Sequence, residues 1–256
     1  MDDIVVRECT SIDELDNCIR LQREVFGLPD LEISPRRHLI VSRQAGGWTL
    51  GAFSGNRLVG FVHHLAGVRG GNEIFGYSHM MAVAFDYQNK GVGARLKWSQ
   101  RARAMAEGRG FIKWTWDPMQ ARNAHFNLNR LGVTVSSYAE NFYGTDYGTS
   151  LTGTLDEAPG IDSDRLFAEW SLQSRRVEKL ATDEPAAISA RPERTITIPD
   201  NWNALMKEDP GRAKRELQRV RGEFISAFET GLICAGFERS TEQPRYLLHR
   251  PEVLKD

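Results

Sequence analysis

Cysteine is scarce in this chain, with three among 256 residues (Cys9, Cys18 and Cys234) and no C-x-x-C pair. An odd number at wide spacing excludes a disulfide framework and gives no support for a zinc site, so a reducing cytoplasm is the expected compartment. Long apolar runs are missing too. No uncharged stretch approaches the roughly 18 residues of a membrane helix, and the start, Met1-Asp2-Asp3, lacks the basic and apolar regions of a signal peptide. The expectation is a soluble protein without a membrane partner. Neither sign of charge is in excess: 33 basic and 34 acidic side chains leave a formal charge of -1. Such a chain projects no global field towards nucleic acid, and any anion site must be local. There is no repeat at a fixed period and no low-complexity tract. What is present is ordinary: 41% hydrophobic and 26% charged residues, close to globular averages.

The pattern along the chain reads as mixed α/β. Residues 3–9 predict a strand, and Ser11 with Glu14 forms a capping box ahead of a helix marked by Ile12, Leu15, Cys18, Ile19 and Phe26, with Gln22 as a break and Gly27-Leu28-Pro29 as the stop. A short helix is expected from Ser34-Pro35. Strands at 48–53, 57–65 and 73–85, separated by turn residues, suggest an antiparallel meander. Residues 91–107 take helical period, with Val92, Leu96, Ser99, Ala102 and Ala106 expected inward and Lys97, Arg101 and Glu107 outward. A strand at 111–116, a helix from Asp117-Pro118 to Leu131-Gly132 and a strand from Val133 follow. Gly, Thr, Asp and Pro crowd 144–164 as in a long loop, which suggests two regions, 1–144 and 145–256. In the second, 165–172 reads as a strand and 182–194 as a linker. Asp209-Pro210 starts a helix striped by Ala213, Leu217, Val220, Phe224 and Phe228, which is expected to pack on the amino-terminal sheet or on another subunit, and 232–237 and 245–250 read as a closing strand pair.

The chemistry concentrates in Val83-Ala84-Phe85-Asp86-Tyr87-Gln88-Asn89-Lys90-Gly91-Val92-Gly93-Ala94, a strand end, a tight turn and a helix start. Gly91 and Gly93 let a phosphate approach the backbone, and the first helical turn offers unpaired N–H groups at the positive end of the helix dipole. A P-loop and a dinucleotide fingerprint both fail on spacing. The stretch resembles the coenzyme A signature Q/R-x-x-G-x-G/A of the GNAT superfamily of N-acetyltransferases, matched by Gln88, Gly91 and Gly93, with the family's strand valine on Val83. The resemblance covers residues 1–143. It implies a mixed, mostly antiparallel sheet flanked by helices. Beyond it, the helix and strand patterns of residues 165–250 suggest an α+β extension, expected to serve acceptor recognition or assembly, including a homodimer. The resemblance also implies acetyl-CoA or another short acyl-CoA as co-substrate, no metal, and a primary amine as acceptor, attacked directly in a ternary complex. A small acceptor such as an amino acid is expected because no sequence feature advertises a docking surface for a protein tail. Asn89, Lys90, Gly91, Val92, Gly93 and Ala94 would hold the pyrophosphate, Met81 and Val83 would flank the pantetheine arm, and Asn123 would contact it from the next helix.

Amine acylation needs a base for the amine, a polarised carbonyl and an acid for the leaving thiolate. The family often places a glutamate base an even number of residues before the valine. Counting back gives Met81, His79 and Tyr77 on one face, and His79 is the natural base; His63 and His64 are weaker candidates. The family's acidic tyrosine, four residues before the closing glycine, falls on Leu128. Tyr143 is the substitute candidate and Tyr138 its rival. That departure keeps a second reading open, a catalytically silent acyl-CoA-binding regulatory module. Trp114 and Trp116 read as core or groove lining, the basic run Arg212, Lys214, Arg215, Arg219 and Arg221 as a solvated helix face with no nucleic-acid role, and Cys18 as a buried thiol.

Overall fold

The computed structural model describes residues 4–147 and 160–254; most of the loop expected at 144–164 lies outside them. Its contacts divide the chain into two compact units, 1–113 and 114–256.

In the first unit, strand β1 (Ile4–Glu8) leads to helix α1 (Ile12–Phe26) through the capping box: Ser11 Oγ accepts from the Glu14 amide, and Glu14 Oε2 accepts from the amides of Ser11 and Thr10. Gly27, left-handed at φ 59°, ends the helix because glycine carries no Cβ penalty there. Gln22 is no break. It is buried, with its amide bracketing the backbone of Ser34: Nε2 donates to Ser34 O at 3.3 Å, and Ser34 N–H donates to Oε1 at 3.0 Å. Ile12, expected inward, is 50% exposed. After a short 3-10 turn (Asp30–Glu32) comes α2 (Arg36–Gln44). Then β2 (Trp48–Ser54), β3 (Arg57–Arg69) and β4 (Glu73–Val83) form the expected meander, with β1 antiparallel to β2. Strand β4 stops at Val83, and Phe85–Tyr87 is a 3-10 turn. Helix α3 (Val92–Ala106) follows, and β5 (Phe111–Trp116) runs parallel to β4 through the pairs Gly76–Ile112 and Tyr77–Lys113.

Helix α3 corrects the expected face. Val92, Leu96, Lys97, Gln100 and Ala104 are buried, whereas Ala102 and Ala106 are exposed. Close approach is possible because Gly60 of β3 lacks a side chain: a Cβ there would stand 3.2 Å from Leu96 Cδ1 and 3.3 Å from Val92 Cγ1. Lys97 turns inward because the sheet offers polar partners, Nζ donating to Ser78 Oγ at 2.8 Å.

The second unit begins within β5, at Trp114, and its strands run in the order β5-β7-β6, with β7 (Arg165–Ser171) antiparallel to the two-residue β6 (Tyr138–Ala139). The helix after β5 is short: α4 (Ala121–His125) passes into a π segment (Phe126–Arg130), closed by Leu131 N–H to Phe126 O at 3.1 Å. Three elements escape the sequence reading: α5 (Arg175–Ala181), β8 (Arg194–Thr197) and α6 (Trp202–Glu208). Helix α7 (Pro210–Glu229), capped by Asp209, and strands β9 (Ile233–Glu238) and β10 (Arg245–His249) complete it, β8, β10 and β9 forming a second antiparallel sheet. The α7 stripe is therefore covered within its own unit. Phe224 packs at 5.0 Å from Tyr246 of β10 and 5.7 Å from Tyr138, and Arg219 Nη2 donates to Thr197 O of β8. Trp114 and Trp116 are buried there as well, Trp114 edge-on to Trp170.

Candidate functional site

The glycine turn has the shape its sequence implies. Asn89 (φ 60°) and Gly91 (φ 80°) are left-handed, and Gly91 is the N-cap of α3 with no side-chain cap. The first backbone bond of the helix runs from Arg95 N–H to Gly91 O at 3.1 Å, so the amides of Val92, Gly93 and Ala94 precede the ladder and face outward as donors. Gln88 turns back, donating Nε2 to Val83 O at 3.0 Å, which ties the turn to the end of β4. Lys90 is exposed, its Nζ 5.3 Å from the Tyr87 ring centroid. A Cβ on Gly91 would meet nothing within 4 Å, and one on Gly93 would lie 3.6 Å from Met81 Cε and 4.0 Å from Val83 Cγ2. Met81, Val83 and the helix start thus share one side of the sheet. Pairing of β4 with β5 ends at Tyr77, and among the described residues Ser78–Val83 have no strand partner on that edge. A backbone edge with unpaired donors and acceptors beside an anion-accepting helix start suits an extended, amide-containing ligand that ends in phosphate.

His79 does not share that side. Met80 pairs with His63 and Ser78 with His64, so β4 carries one extra residue, a bulge at His79, that resets its alternation. The even-number count from Val83 therefore fails. His79 instead meets His38 of α2 and His63 of β3, with ring centroids 5.5 and 6.1 Å away, and its Nε2 lies 3.4 Å from Ser34 Oγ. Part of the ring faces solvent; burial of the rest, then the neighbouring His38, holds its pKa below the ordinary histidine value. That direction favours the unprotonated ring a base needs. His63 is fully buried and fixed at both nitrogens, Nε2 by Ser42 Oγ at 3.1 Å and Nδ1 by Thr49 Oγ1 at 2.8 Å, and burial pushes its pKa down to about 3. His64 faces α3 instead, stacked on Trp48 at 4.0 Å, with burial and then Arg109 pushing it to about 2. His38 escaped the sequence reading, because nothing in the spacing of α2 links it to β4.

The remaining candidates belong to the second unit. Tyr143 is 41% exposed, with its hydroxyl 3.3 Å from Thr115 Oγ1 and its ring stacked on Tyr147 at 4.7 Å. Tyr138 is a structural group: its hydroxyl donates to Asp164 Oδ2 at 2.6 Å, and burial, then Asp164, raises its pKa. Asn123 is exposed on α4. Leu128 is fully buried in the π segment, so no acid arises there. Arg219 and Arg221 are neutralised, the first by Glu216 and Glu223, the second by Asp162, Asp164 and Glu140. Among the described residues no group of three or more His, Cys, Asp or Glu is arranged to hold a metal ion.

No protein-family model matches the sequence, and no curated protein matches it. Solved structures do. A protein described as an acetyltransferase of the GNAT family from Desulfovibrio desulfuricans aligns with a TM-score of 0.52 at 13% identity, over 66% of this chain and 99% of that one. The ribosomal-protein-S18-alanine N-acetyltransferase of Escherichia coli aligns with a TM-score of 0.51 at 11% identity, over 66% of this chain and 94% of that one. Two-thirds of the chain, with its mostly antiparallel sheet, open β4 edge and glycine turn into α3, has the GNAT N-acetyltransferase fold.

Proposed function

We propose that the protein transfers an acetyl or other short acyl group from acyl-CoA to a primary amine, by direct attack of the amine on the thioester. The observation that carries this reading is the turn at 88–94, where a left-handed Gly91 delivers uncapped helix amides beside the unpaired edge of β4. Those amides would take the pyrophosphate, Met81 and Val83 would flank the pantetheine arm, and His79 would accept the amine proton. Tyr143 is favoured over Tyr138 as the acid for the thiolate, since its hydroxyl is exposed and makes no carboxylate bond among the described residues. A small amine in a reducing cytoplasm remains the preferred setting. Gly91→Val is the sharpest test. Its Cβ meets no neighbour, so the fold should persist, but φ 80° is a conformation a β-branched residue resists and the turn should rearrange. Calorimetry should show acetyl-CoA binding weakened at least tenfold, and thiol release on an amine panel should fall with it. A folded Gly91→Val protein that binds acetyl-CoA like the wild type would reverse the assignment. Tight binding with no turnover on any amine would instead favour the regulatory module.

A further inference from the structure

Residues 186–190, inside the stretch that reads as a linker, share a cavity of about 470 Å³ with helix α5 and with the 3-10 turn Pro251–Leu254. All three belong to the second unit. The volume falls within the range of small-molecule sites, about 300–1,000 Å³. Its lining is of two kinds. Helix α5 contributes Arg175, Arg176 and Lys179, whereas Ile188, Val253 and Leu254 are apolar. Among the described residues no Asp or Glu lines it.

Two of these charges have no acidic partner. Arg176 is half-buried and carries five N–H donors. It gives one each to the carbonyls of Ala186 at 3.3 Å, Ala235 at 2.7 Å and Leu128 at 2.8 Å, and among the described residues it meets no carboxylate. Carbonyls satisfy donors but do not cancel a charge that arginine cannot give up, and burial pushes its pKa below the ordinary value. The ammonium of Lys179, also half-buried, makes no hydrogen bond or ion pair among the described residues. Arg175 stands four residues before Lys179 on α5, a spacing at which like charges repel. Partly desolvated cations around a cavity without acids form a site that an anion completes. The apolar lining adds a second demand, since a bare inorganic anion would leave it facing water.

We propose that this cavity binds a small organic anion, its acidic head held by Arg175, Lys179 and the two N–H groups left on Arg176, and its apolar body laid against Ile188, Val253 and Leu254. None of these residues belongs to the turn at 88–94, so the site stands whether or not the protein transfers an acyl group. The Arg176 bond to Ala186 O fastens the 186–190 wall to α5 and gives the cavity its shape without a ligand.

Calorimetry on the full chain would use octanoate and octyl phosphate as probes. Octanamide keeps the body without the charge, and inorganic phosphate keeps the charge without the body. At least one of the two acids should bind saturably at a single site, and both controls should bind roughly tenfold more weakly or worse. The tighter acid names the head as carboxylate or phosphate. Backbone amide shifts should move at 175–179, 186–190 and 252–254. Lys179→Glu reverses one charge of the site and should weaken the acid roughly tenfold or more while leaving octanamide unaffected. Lys179→Met, which keeps the apolar stem, is the variant to read if the glutamate disturbs the fold. Arg176 is not the position to change, because its three carbonyl bonds also hold α5 in place. The site is overturned if neither acid binds saturably, if octanamide or inorganic phosphate binds as tightly as the acids, if the shifts fall on other residues, or if a folded Lys179 variant keeps wild-type affinity.

Discussion

Lys97 shows how much a single side chain can decide. It is 2% exposed, and its Nζ lies 2.8 Å from Ser78 Oγ and 3.0 Å from Gln100 Oε1, while Gln100 Nε2 lies 3.1 Å from His64 Nδ1 and Arg109 Nη1 lies 2.7 Å from His64 Nε2. Arg109 can only donate, so His64 Nε2 must accept, which leaves Nδ1 as the N–H of a neutral ring. That N–H needs an acceptor, and the Gln100 side-chain oxygen provides it when the amide is turned with its oxygen towards His64. The amide N–H then points at Lys97, which can accept only if its amine is neutral. Burial pushes the Lys97 pKa well below its ordinary value, in agreement. Arginine cannot lose its proton. Lys97→Arg should therefore destabilise the fold by about 3 kcal/mol or more, as an uncompensated buried charge does, and by more than Lys97→Met. Denaturant midpoints would give the order, and an arginine tolerated better than methionine would show that the site holds a cation. None of this was legible in the sequence, where a lysine on an amphipathic helix reads as outward. The turn glycines were legible, because their conformational need is local.

At the level of elements, the signals that survived are those fixed by neighbours in sequence. Ser11 with Glu14, Gly27, and Asp209-Pro210 place helix ends by hydrogen bonds a few residues long. Signals that failed depend on partners far away. The bulge at His79 arises where β4 meets β3, and no local feature of Tyr77-Ser78-His79-Met80 announces it. Helix α5 and strand β8 lie in stretches that read as polar because much of their surface is exposed, Val177 and Ile196 being their fully buried hydrophobics. The α7 stripe is legible in the sequence, but its cover is not, because β8 carries a single fully buried hydrophobic, Ile196. Leu217, Val220 and Phe224 are buried within the second unit, so the stripe needs no other subunit. Leu217→Ala should cost about 2–5 kcal/mol, measured by chemical denaturation, and the cost should be independent of protein concentration. A loss that shrinks as concentration rises would mean that the stripe belongs to an interface.

Across the whole molecule, titrating groups set where the protein is stable. His63 at about 3 and His64 at about 2 are neutral in the fold and ordinary when unfolded. From the ordinary histidine value near 6.5 down to those values the unfolded chain binds more protons, so stability falls as pH falls. Lys97, also depressed, adds a rise of stability with pH up to its ordinary value. Glu14 acts in the same direction lower down: burial opposes it, but the amides of Ser11 and Thr10 hold its carboxyl at about 2, so stability is lost as pH drops from 4.5 towards 2. These four lie in the first unit. In the second, half-buried Asp117 has its pKa raised by desolvation and works the other way, gaining stability as pH falls towards the ordinary aspartate value, while the buried His249, its ring nitrogens unpartnered among the described residues, again loses. The first unit should therefore carry the greater acid sensitivity. Hydrogen exchange at pH 7 and pH 4, corrected for intrinsic rates, should show protection in β3, β4 and α3 falling more than in α7, β9 and β10. Equal losses, or a larger loss in the second unit, would mean that His63 and His64 are protonated within the native fold, and that the sheet around them opens to water more readily than their burial implies.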